Sequence, residues 1–273
     1  MKVSIITSCF NRQNTIREAI ESVLAQDYPN IEYIIVDGAS NDNSLKIINE
    51  YKNYINTIIS EPDKGMYEAI NKGITAATGD IIGLVHSDDF LYDTHVISNI
   101  VKKFKQTNAD IIYGDGLFVD YNNTDKIIRN WISGSFHRWK VKCGWLPLHP
   151  TVYIKRSIIN QWGQYDESYK IAADSDFLIR YFYEAHLHIE YLKTYIIKMR
   201  MGGLSTNNSK RKLMWKEDVH LYKKHGFCGV LTKLLKMSWK IPQFISAKFQ
   251  QILKSATPFP KCYLHKEKWT FDS

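Results

Sequence analysis

The chain has 273 residues, 44% of them hydrophobic and 13% aromatic, so it can build a full core and is not globally disordered. Its net charge of +8 is uneven: from Lys210 onward there are fourteen Lys and Arg against four Asp and Glu, a net +10, whereas the preceding residues carry −2. Four scattered cysteines without C-x-x-C spacing argue against a zinc motif or a disulfide framework and favour a reducing compartment.

No export or membrane-spanning segment is expected. The first apolar run, over residues 3–7, is shorter than the apolar region of a signal peptide and is predicted to be a strand. No stretch approaches the ~20 uninterrupted apolar residues of a spanning helix. We therefore expect a cytoplasmic protein.

Hydrophobic periodicity predicts alternating strands and helices in the first part of the chain. Strands are predicted over residues 3–7, 33–36, 57–60, 80–85 and 111–113, and helices over residues 14–26, 42–51, 66–77 and 94–107. This alternation is typical of βαβ units in an α/β fold with a largely parallel sheet. In such sheets ligands bind at the carboxyl ends of the strands.

Acidic residues follow most of these strands, in segments that read SCFN, DGAS, EPDKG and HSDD. Adjacent carboxylates in Ser87-Asp88-Asp89 suit a hard cation such as Mg²⁺ or Mn²⁺, which prefers oxygen ligands. The alternative is a turn or a helix cap. Asp37 can accept hydrogen bonds from a base or a ribose, and its alternative is an Asx-turn.

The rest of the chain gives weaker patterns. Residues 114–150 mix aromatics with Gly, Asn and Ser, which predicts antiparallel strands and long loops, and helices are predicted over residues 168–187 and 212–225. We expect a catalytic domain over residues 1–225, followed by a basic amphipathic extension over residues 226–273. Within that domain, residues 1–113 form the expected nucleotide-binding half and residues 114–225 the acceptor-binding half.

Two carboxylates, Asp174 and Asp176, stand at the start of a predicted helix. Residues two apart on a helix do not share a face. One of them can therefore point into a cleft as a general base, while the other pairs with Arg180 or caps the helix.

Together, four ordered segments resemble the family 2 glycosyltransferases of the GT-A fold, and in particular bacterial enzymes that build surface polysaccharides. The segments read SIITSCFNR, EYIIVDGASNDNS, EPDKGMYEAINKGITAATGDIIGLVHSDD and GQYDESYKIAADSDFLIR. The resemblance covers roughly the first 200 residues. It implies a Rossmann-like, mixed but mainly parallel sheet flanked by helices, to which the basic helical extension is added.

The resemblance also implies a UDP-sugar site. Phe10 stands where the family usually has a tyrosine that stacks on the uracil, and Asp37 matches the carboxylate that binds the base. The remaining nucleotide-binding residues that it implies are Ser8, Asn11, Asp63, Asn71, Lys72, Ser87 and Asp88.

For the chemistry, the resemblance implies Mn²⁺ or Mg²⁺ and an inverting mechanism. Ser87-Asp88-Asp89 matches the D-x-D motif, with Asp89 as the metal ligand and Asp88 near the ribose or a water on the metal. Asp174 matches the catalytic base, and Ala173 replaces the glutamate that usually precedes it. A single displacement by an acceptor hydroxyl would invert the anomeric carbon.

Contacts with the acceptor or the donor phosphates are open at three positions. His149 either contacts these groups or is a structural loop histidine. Lys210 and Arg211 belong either to a mobile basic lid over the diphosphate or to an ordinary surface loop.

The basic tail suggests an amphiphilic partner. Residues 230–253 mix aliphatics and aromatics with lysines, a composition typical of a helix at an anionic membrane surface. An acceptor linked to polyprenyl diphosphate would give this contact a purpose, at the inner face of the cytoplasmic membrane. The alternative is a helical pair that packs on the domain with its lysines in solvent.

Three rival functions stay open. A sugar nucleotidyltransferase needs a glycine-rich phosphate loop that SCFNRQNT lacks. A non-catalytic assembly or glycan-binding partner would not need Asp37, Asp88, Asp89 and Asp174. Nucleic-acid binding would leave the acidic strand ends without a purpose, and we expect none.

Overall fold

The computed structural model describes residues 1–202 and 211–254, with side chains as far as residue 248. Within this part of the chain nine strands form one mixed sheet. They are β1 (Val3–Cys9), β2 (Ile31–Asp37), β3 (Thr57–Ser60), β4 (Ile81–Leu84), β5 (Phe90–Leu91), β6 (Ile111–Val119), β7 (Ile127–Trp131), β8 (Tyr153–Lys155) and β9 (Ile189–Arg200). Their spatial order is β3-β2-β1-β4-β8-β6-β9-β5, and β7 pairs with β6.

The centre of the first half is β1, which is buried along its whole length. It pairs in parallel with β2 and β4, and β2 pairs in parallel with β3. The register places Cys9 opposite Asp37 and Asp37 opposite Ser60. The carboxyl ends of these parallel strands therefore meet at one edge of the sheet, as predicted.

The second half of the sheet is mixed. β8 lies antiparallel between β4 and β6, and β9 runs parallel to β6. The short strand β5 pairs with β9, with Phe90 opposite Lys198. Because β5 begins directly after Asp89, this pairing carries the end of β9 to that carboxylate.

Helices cover both faces of the sheet. They are α1 (Ile16–Leu24), α2 (Ser44–Glu50), α3 (Met66–Ala76), α4 (Val96–Thr107), α5 (Arg138–Lys142), α6 (Arg156–Trp162), α7 (Ala173–Ile179), α8 (Arg211–Lys224), α9 (Gly229–Ser238) and α10 (Ile241–Lys254). Helices α1, α2 and α4 share one core, and α3, α7 and α8 share the other. Since β1 and β2 are covered on both faces, they read as continuous apolar runs.

The structure corrects the helix predicted over residues 168–187. Helix α7 begins at Ala173 and continues as a π-helical turn over Arg180–Glu184. The backbone N–H groups of residues 170–172 are bound by the Glu217 carboxylate of α8, so this segment is held as a turn. Strands β5 and β9 and helix α6 are additions that the periodicity does not predict.

The C-terminal helices pack on the rest of the chain. The Thr232 hydroxyl of α9 donates to the Lys142 carbonyl at 3.1 Å, and just after this helix the Trp239 indole N–H donates to the Cys143 carbonyl at 2.9 Å. Gly144 has φ +76°, and a Cβ there would lie 2.6 Å from the Thr232 carbonyl oxygen, so only glycine permits this approach. None of the helices in the described ranges is long and apolar enough to cross a membrane.

Glu32 ties the amino-terminal ends of the parallel strands together. Its carboxylate accepts hydrogen bonds from Lys2 Nζ at 2.6 Å, Ser4 Oγ at 2.5 Å and the Thr78 N–H at 2.8 Å. Burial alone would raise the pKa of this carboxyl, but the hydrogen bonds outweigh it and lower the pKa from 4.5 to about 2. The ionised form is therefore the one that stabilises the fold.

We expect Glu32→Gln to lower stability near neutral pH and to flatten its acid dependence. Because the folded-state pKa of Glu32 is depressed, its contribution is present above pH 4.5 and is lost as the pH falls toward 2. Urea unfolding from pH 7 to 2 measures this as the difference between variant and wild type. Glu50→Gln, which removes an exposed carboxylate paired with Arg17, is the control. If the free energy of unfolding of Glu32→Gln differed from that of wild type by the same amount at every pH from 7 to 2, the depressed pKa of Glu32 would be contradicted.

Candidate active site

Phe10 directly follows the first strand, β1, and its ring is exposed. Every residue of β1 is buried, yet the next side chain is 55% exposed. The following residue, Asn11, turns the chain with φ +52°, and its N–H donates to Ser40 Oγ at 2.9 Å. Left-handed backbone at a non-glycine residue is uncommon and clusters at functional sites. The exposed ring is available to stack on a flat ligand, whereas Ser8 lies buried within the strand.

Asp37 lies fully buried at the end of β2. Its carboxylate accepts hydrogen bonds from Ser40 Oγ at 2.5 Å and Ser60 Oγ at 2.9 Å. Asp63 lies beside it: a Cβ on Gly38 would be 2.4 Å from Asp63 Oδ2, so the glycine makes room for this carboxylate. Burial raises the pKa of Asp63, and the charge of Asp37 contributes to the rise. The structure thus brings Asp37 and Asp63 together.

Lys72 holds the EPDKG loop from below. Its ammonium lies 2.9 Å from a Glu61 oxygen and 3.3 Å from a Glu68 oxygen, and it donates to the Pro62 carbonyl at 3.1 Å. These contacts fix the backbone on either side of Asp63. Lys72 therefore lies against the EPDKG loop, and its charge is engaged there.

Asn71, on the same helix, faces a different segment. Its amide nitrogen donates to the Tyr165 carbonyl at 2.9 Å and to a Glu167 oxygen at 2.8 Å, and its amide oxygen accepts from the Tyr165 N–H at 3.0 Å. The structure therefore places Asn71 against residues 165–167, not beside Asp37.

Asp89 is a buried carboxylate with half of its hydrogen-bonding capacity unused. It is 1% exposed; Oδ1 accepts from the Arg200 N–H at 3.2 Å, and Oδ2 has no partner among the described residues. Burial, together with the charge of Asp88, raises its pKa well above the usual range. An oxygen in this state fits a hard cation. Within the described ranges no three His, Cys, Asp or Glu side chains form a metal cluster.

Two arginines that the sequence patterns do not single out surround this carboxylate. Arg200 donates to the Asp88 carbonyl at 2.8 Å and pairs with Glu18, and Arg12 Nε lies 3.9 Å from Asp88 Oδ2. Ser87 lies buried in the same turn. This edge of the sheet therefore combines the carboxylates of Asp88 and Asp89, which suit a cation, with two guanidinium groups, which suit an anion.

His149 is buried and neutral. Burial and the neighbouring His86, whose ring centroid is 6.0 Å away, lower its pKa to about 3. Its Nε2 lies 2.5 Å from the Tyr165 hydroxyl. His149 therefore offers a hydrogen bond and no charge, and it links the turn after β4 to residue 165.

Asp174 and Asp176 take different roles at the start of α7. Asp176 is fully buried and lies 3.0 Å from Arg180, Lys224 and His225. Burial would raise its pKa, but these three partners hold it below the usual range. Asp174 is partly exposed, and its carboxylate accepts a hydrogen bond from the Ser175 N–H at 2.7 Å. The expected pairing with Arg180 thus falls to Asp176, which leaves Asp174 available.

The surroundings of Asp174 make it a stronger base. Burial raises its pKa, Lys236 lowers it and Asp218 raises it, and the net result lies above the usual value. Lys236 comes from α9, where it donates to Ser175 Oγ at 3.0 Å. A helix of the C-terminal extension therefore lies beside the candidate base, which no local motif reveals.

Of the two basic residues of the suggested lid, Arg211 lies within the described structure. Arg211 is exposed at the start of α8. Lys210 lies outside the described residues.

The sequence matches the family profile described as Glycosyl transferase family 2 over residues 4–161, more than half of the chain. It is 27% identical over 207 residues to the PGL/p-HBAD biosynthesis glycosyltransferase of Mycobacterium bovis, covering 74% of this chain and 78% of that one. It is also 29% identical over 135 residues to the glycosyltransferase GlyG of Streptococcus pneumoniae, covering 48% of this chain and 44% of that one.

Solved structures share the fold. TarS of S. aureus in complex with UDP-GlcNAc gives a TM-score of 0.66 at 16% identity, covering 95% of this chain and 77% of that one. A further TarS structure gives a TM-score of 0.62 at 18% identity. The match covers 81% of this chain and 64% of the TarS chain. The mannosyltransferase PcManGT of Pyrobaculum calidifontis, in complex with GDP-Man and Mn²⁺, gives a TM-score of 0.59 at 14% identity. That match covers 94% of this chain and 76% of the PcManGT chain. These similarities confirm the expected GT-A fold.

We expect Mn²⁺ with UDP to raise the melting temperature of the wild type but not that of Asp89→Asn. A ligand at 100 times its Kd stabilises by about 2.7 kcal/mol, or roughly 5–10 °C for a chain of this size. Differential scanning fluorimetry measures the shift, with Asp93→Asn as the control. Without ligand, Asp89→Asn should melt close to wild type, because the asparagine has nearly the same shape and keeps an oxygen that can accept the Arg200 N–H. Equal ligand shifts in both proteins would contradict the role of Asp89.

Proposed function

The chain belongs to glycosyl transferase family 2, and from this premise we propose that it moves a hexose or an N-acetylhexosamine from a UDP-sugar to a glycan or lipid-linked acceptor, with inversion. The observation that carries the proposal is Asp89, buried with one oxygen unpartnered in the described structure, at the same sheet edge as Phe10 and Asp37. A carboxylate in that state beside an exposed aromatic ring favours a cation and a nucleotide over a structural role.

On the donor side, the residues of the sheet edge hold the nucleotide. The Phe10 ring stacks on the base, and Asp37 and Asp63 accept hydrogen bonds from the base and ribose. Mn²⁺ or Mg²⁺ would be held by Asp89 with Asp88 close by, and when bound it supplies Lewis-acid stabilisation of the leaving diphosphate. Arg12 and Arg200 add positive charge near these phosphates.

On the acceptor side, Asp174 removes the proton of the attacking hydroxyl. The acceptor oxygen forms its bond to the anomeric carbon while the bond from that carbon to the phosphate oxygen breaks, and the proton passes to the carboxylate. A raised pKa suits this role, because it makes the carboxylate a better proton acceptor. Attack opposite the leaving group gives inversion without a covalent sugar–enzyme intermediate.

Two similarities support the choice of substrates. TarS, which shares the fold, has been crystallised with UDP-GlcNAc, and that complex favours a UDP-sugar donor for this chain. The mycobacterial relative is a PGL/p-HBAD biosynthesis glycosyltransferase. Its name favours an acceptor that belongs to a cell-surface glycan or glycolipid, as in surface-polysaccharide synthesis.

We expect the wild type to hydrolyse or transfer one UDP-sugar of a panel with Mn²⁺ or Mg²⁺, and EDTA to abolish turnover. Asp174→Asn should reduce the rate by about 10²–10⁴-fold, the usual contribution of a positioned general base. UDP release measures the rate, and Asp93→Asn is the control. Turnover of Asp174→Asn equal to wild type would exclude this base, and failure to bind or turn over any donor would overturn the proposed activity.

We also propose that α9 and α10 contact an anionic membrane surface. Aliphatic and aromatic side chains along them are about half exposed, namely Val230, Leu231, Leu234, Met237, Ile241, Phe244 and Ile245. Exposed cations lie at Lys248 of α10 and, on the preceding helix α8, at Arg211, Lys212, Lys216, Lys223 and Lys224. Exposed apolar side chains combined with cations on the same C-terminal part of the chain suit the interface of an anionic bilayer.

We expect the wild type to float with phosphatidylglycerol vesicles and not with phosphatidylcholine vesicles. Replacing both Leu234 and Met237 by Glu should reduce the floated fraction roughly tenfold, since each buried CH₂ contributes ~0.8 kcal/mol to such binding. Tyr54→Glu, at the other end of the sheet beside β3, is the control. Undiminished flotation of the double variant would contradict contact through these helices.

A further inference from the structure

The lysines of α9 point into the protein. Lys233 is buried and pairs with Asp218, and Lys236 donates to another oxygen of the same carboxylate at 3.0 Å. Lys236 also donates to Ser175 Oγ at 3.0 Å, beside Asp174. A single carboxylate thus serves two ammonium groups. This arrangement is the reverse of the solvated lysine face that the helix composition suggests.

A third lysine, Lys240, stands between α9 and α10, four residues after Lys236, and its carbonyl accepts the N–H of Gln243 at 3.2 Å. It is half-buried, and within the described residues no carboxylate pairs with it. Burial, together with the charges of Lys236, Arg129 and Lys233, lowers its pKa to about 8, while the charge of Asp218 opposes the shift. Lys240 is therefore a cation placed among cations.

Arg129 of β7 completes the group. It is 8% exposed, and its Nε donates to Gln243 at 2.5 Å, whereas one terminal nitrogen has no partner among the described residues. Its guanidinium lies 4.2 Å from the Trp131 ring centroid and 5.6 Å from that of Phe244, which explains its position between β7 and α10. These rings do not satisfy the remaining N–H groups, and burial lowers its pKa to about 10.

Together these residues leave an excess of buried positive charge. Lys233, Lys236, Lys240 and Arg129 carry four positive charges. Within the described residues, Asp218 pairs with Lys233 and Lys236, and the charge of Asp174 also acts on these two lysines, whereas Lys240 and Arg129 have no paired carboxylate. A buried charge is costly unless it is paired, and protein interiors rarely keep one without a counter-ion. The Lys236 contact with Ser175 places this lysine beside Asp174, where the proposed function puts the acceptor hydroxyl.

We propose that Arg129, Lys236 and Lys240 form a binding site for the phosphate or diphosphate of an acceptor substrate. The inference rests on the proposed function, because it assumes that Asp174 faces the acceptor. Unpartnered N–H donors of a guanidinium and an ammonium are the groups that bind phosphate oxygens. The site gives the acceptor an anionic group some way from its reacting hydroxyl, as in a sugar carried on a lipid diphosphate.

The test is calorimetric titration of the full chain with inorganic diphosphate in EDTA, which keeps divalent metal from the donor site. Lys240→Gln should weaken diphosphate binding about tenfold or more, the usual effect of losing one charge-assisted hydrogen bond. Lys105→Gln, which replaces an exposed lysine of α4, should bind as wild type does. Lys240→Met is the second variant, because it also removes the charge but keeps an apolar stem. It should show the same weakened diphosphate binding, and it replaces Lys240→Gln in the test if that variant folds poorly.

Equal diphosphate affinity in wild type and Lys240→Gln, or no binding by folded wild type at millimolar concentration, would overturn the proposal. Titration with UDP and Mn²⁺ should be unchanged in Lys240→Gln, so failure of the donor site itself would be recognised separately. Flotation on phosphatidylglycerol vesicles separates the two sources of phosphate. Retained flotation with lost diphosphate binding supports an acceptor site, whereas lost flotation with unchanged diphosphate affinity assigns the lysines to lipid headgroups and overturns it.

Discussion

A carboxylate oxygen of Asp89, buried and without a hydrogen-bond partner in the described structure, is the constraint around which the site is organised. The other oxygen is held by the Arg200 N–H, so the side chain cannot turn away to reach solvent without losing that bond. Because burial of an unpaired carboxylate is unfavourable, the position is stable as an ion only with a cation beside it. The parallel strands β1, β2 and β4 then place an aromatic ring and two further carboxylates along the same edge.

A second constraint fixes the candidate base, and it comes from the C-terminal helices. Glu217 of α8 binds three backbone N–H groups ahead of α7, and Lys236 of α9 donates to Ser175 within α7. The Asp176 carboxylate pairs with Arg180, Lys224 and His225. Asp174 is therefore the carboxylate of this pair that remains as the candidate base. The helices that carry the basic charge of the chain thus help to position the candidate base and are more than an appendage.

Local patterns predict the first half well because its information is local. Strands β1 to β4 are apolar runs, and the turn residues that follow them assign Asp37, Asp63 and Asp89 to strand ends from the amino-acid pattern alone. Strand β9 escapes because many of its side chains are only half-buried, so its sequence lacks a clear period of two. Arg200, Glu217 and Lys236 also escape, since each acts on residues 45 to 112 positions away and no spacing rule connects them.

The most direct test of the role of Asp89 is anomalous diffraction at the manganese edge from crystals grown with MnCl₂ and UDP. Coordination by Asp89 predicts a manganese peak at bonding distance from its Oδ2, roughly 2.0–2.2 Å, with phosphate oxygens completing the shell. The peak should be missing in Asp89→Asn crystals grown the same way. A manganese ion bound elsewhere, or UDP bound at the sheet edge with Asp89 uncoordinated, would contradict the central role given to this carboxylate.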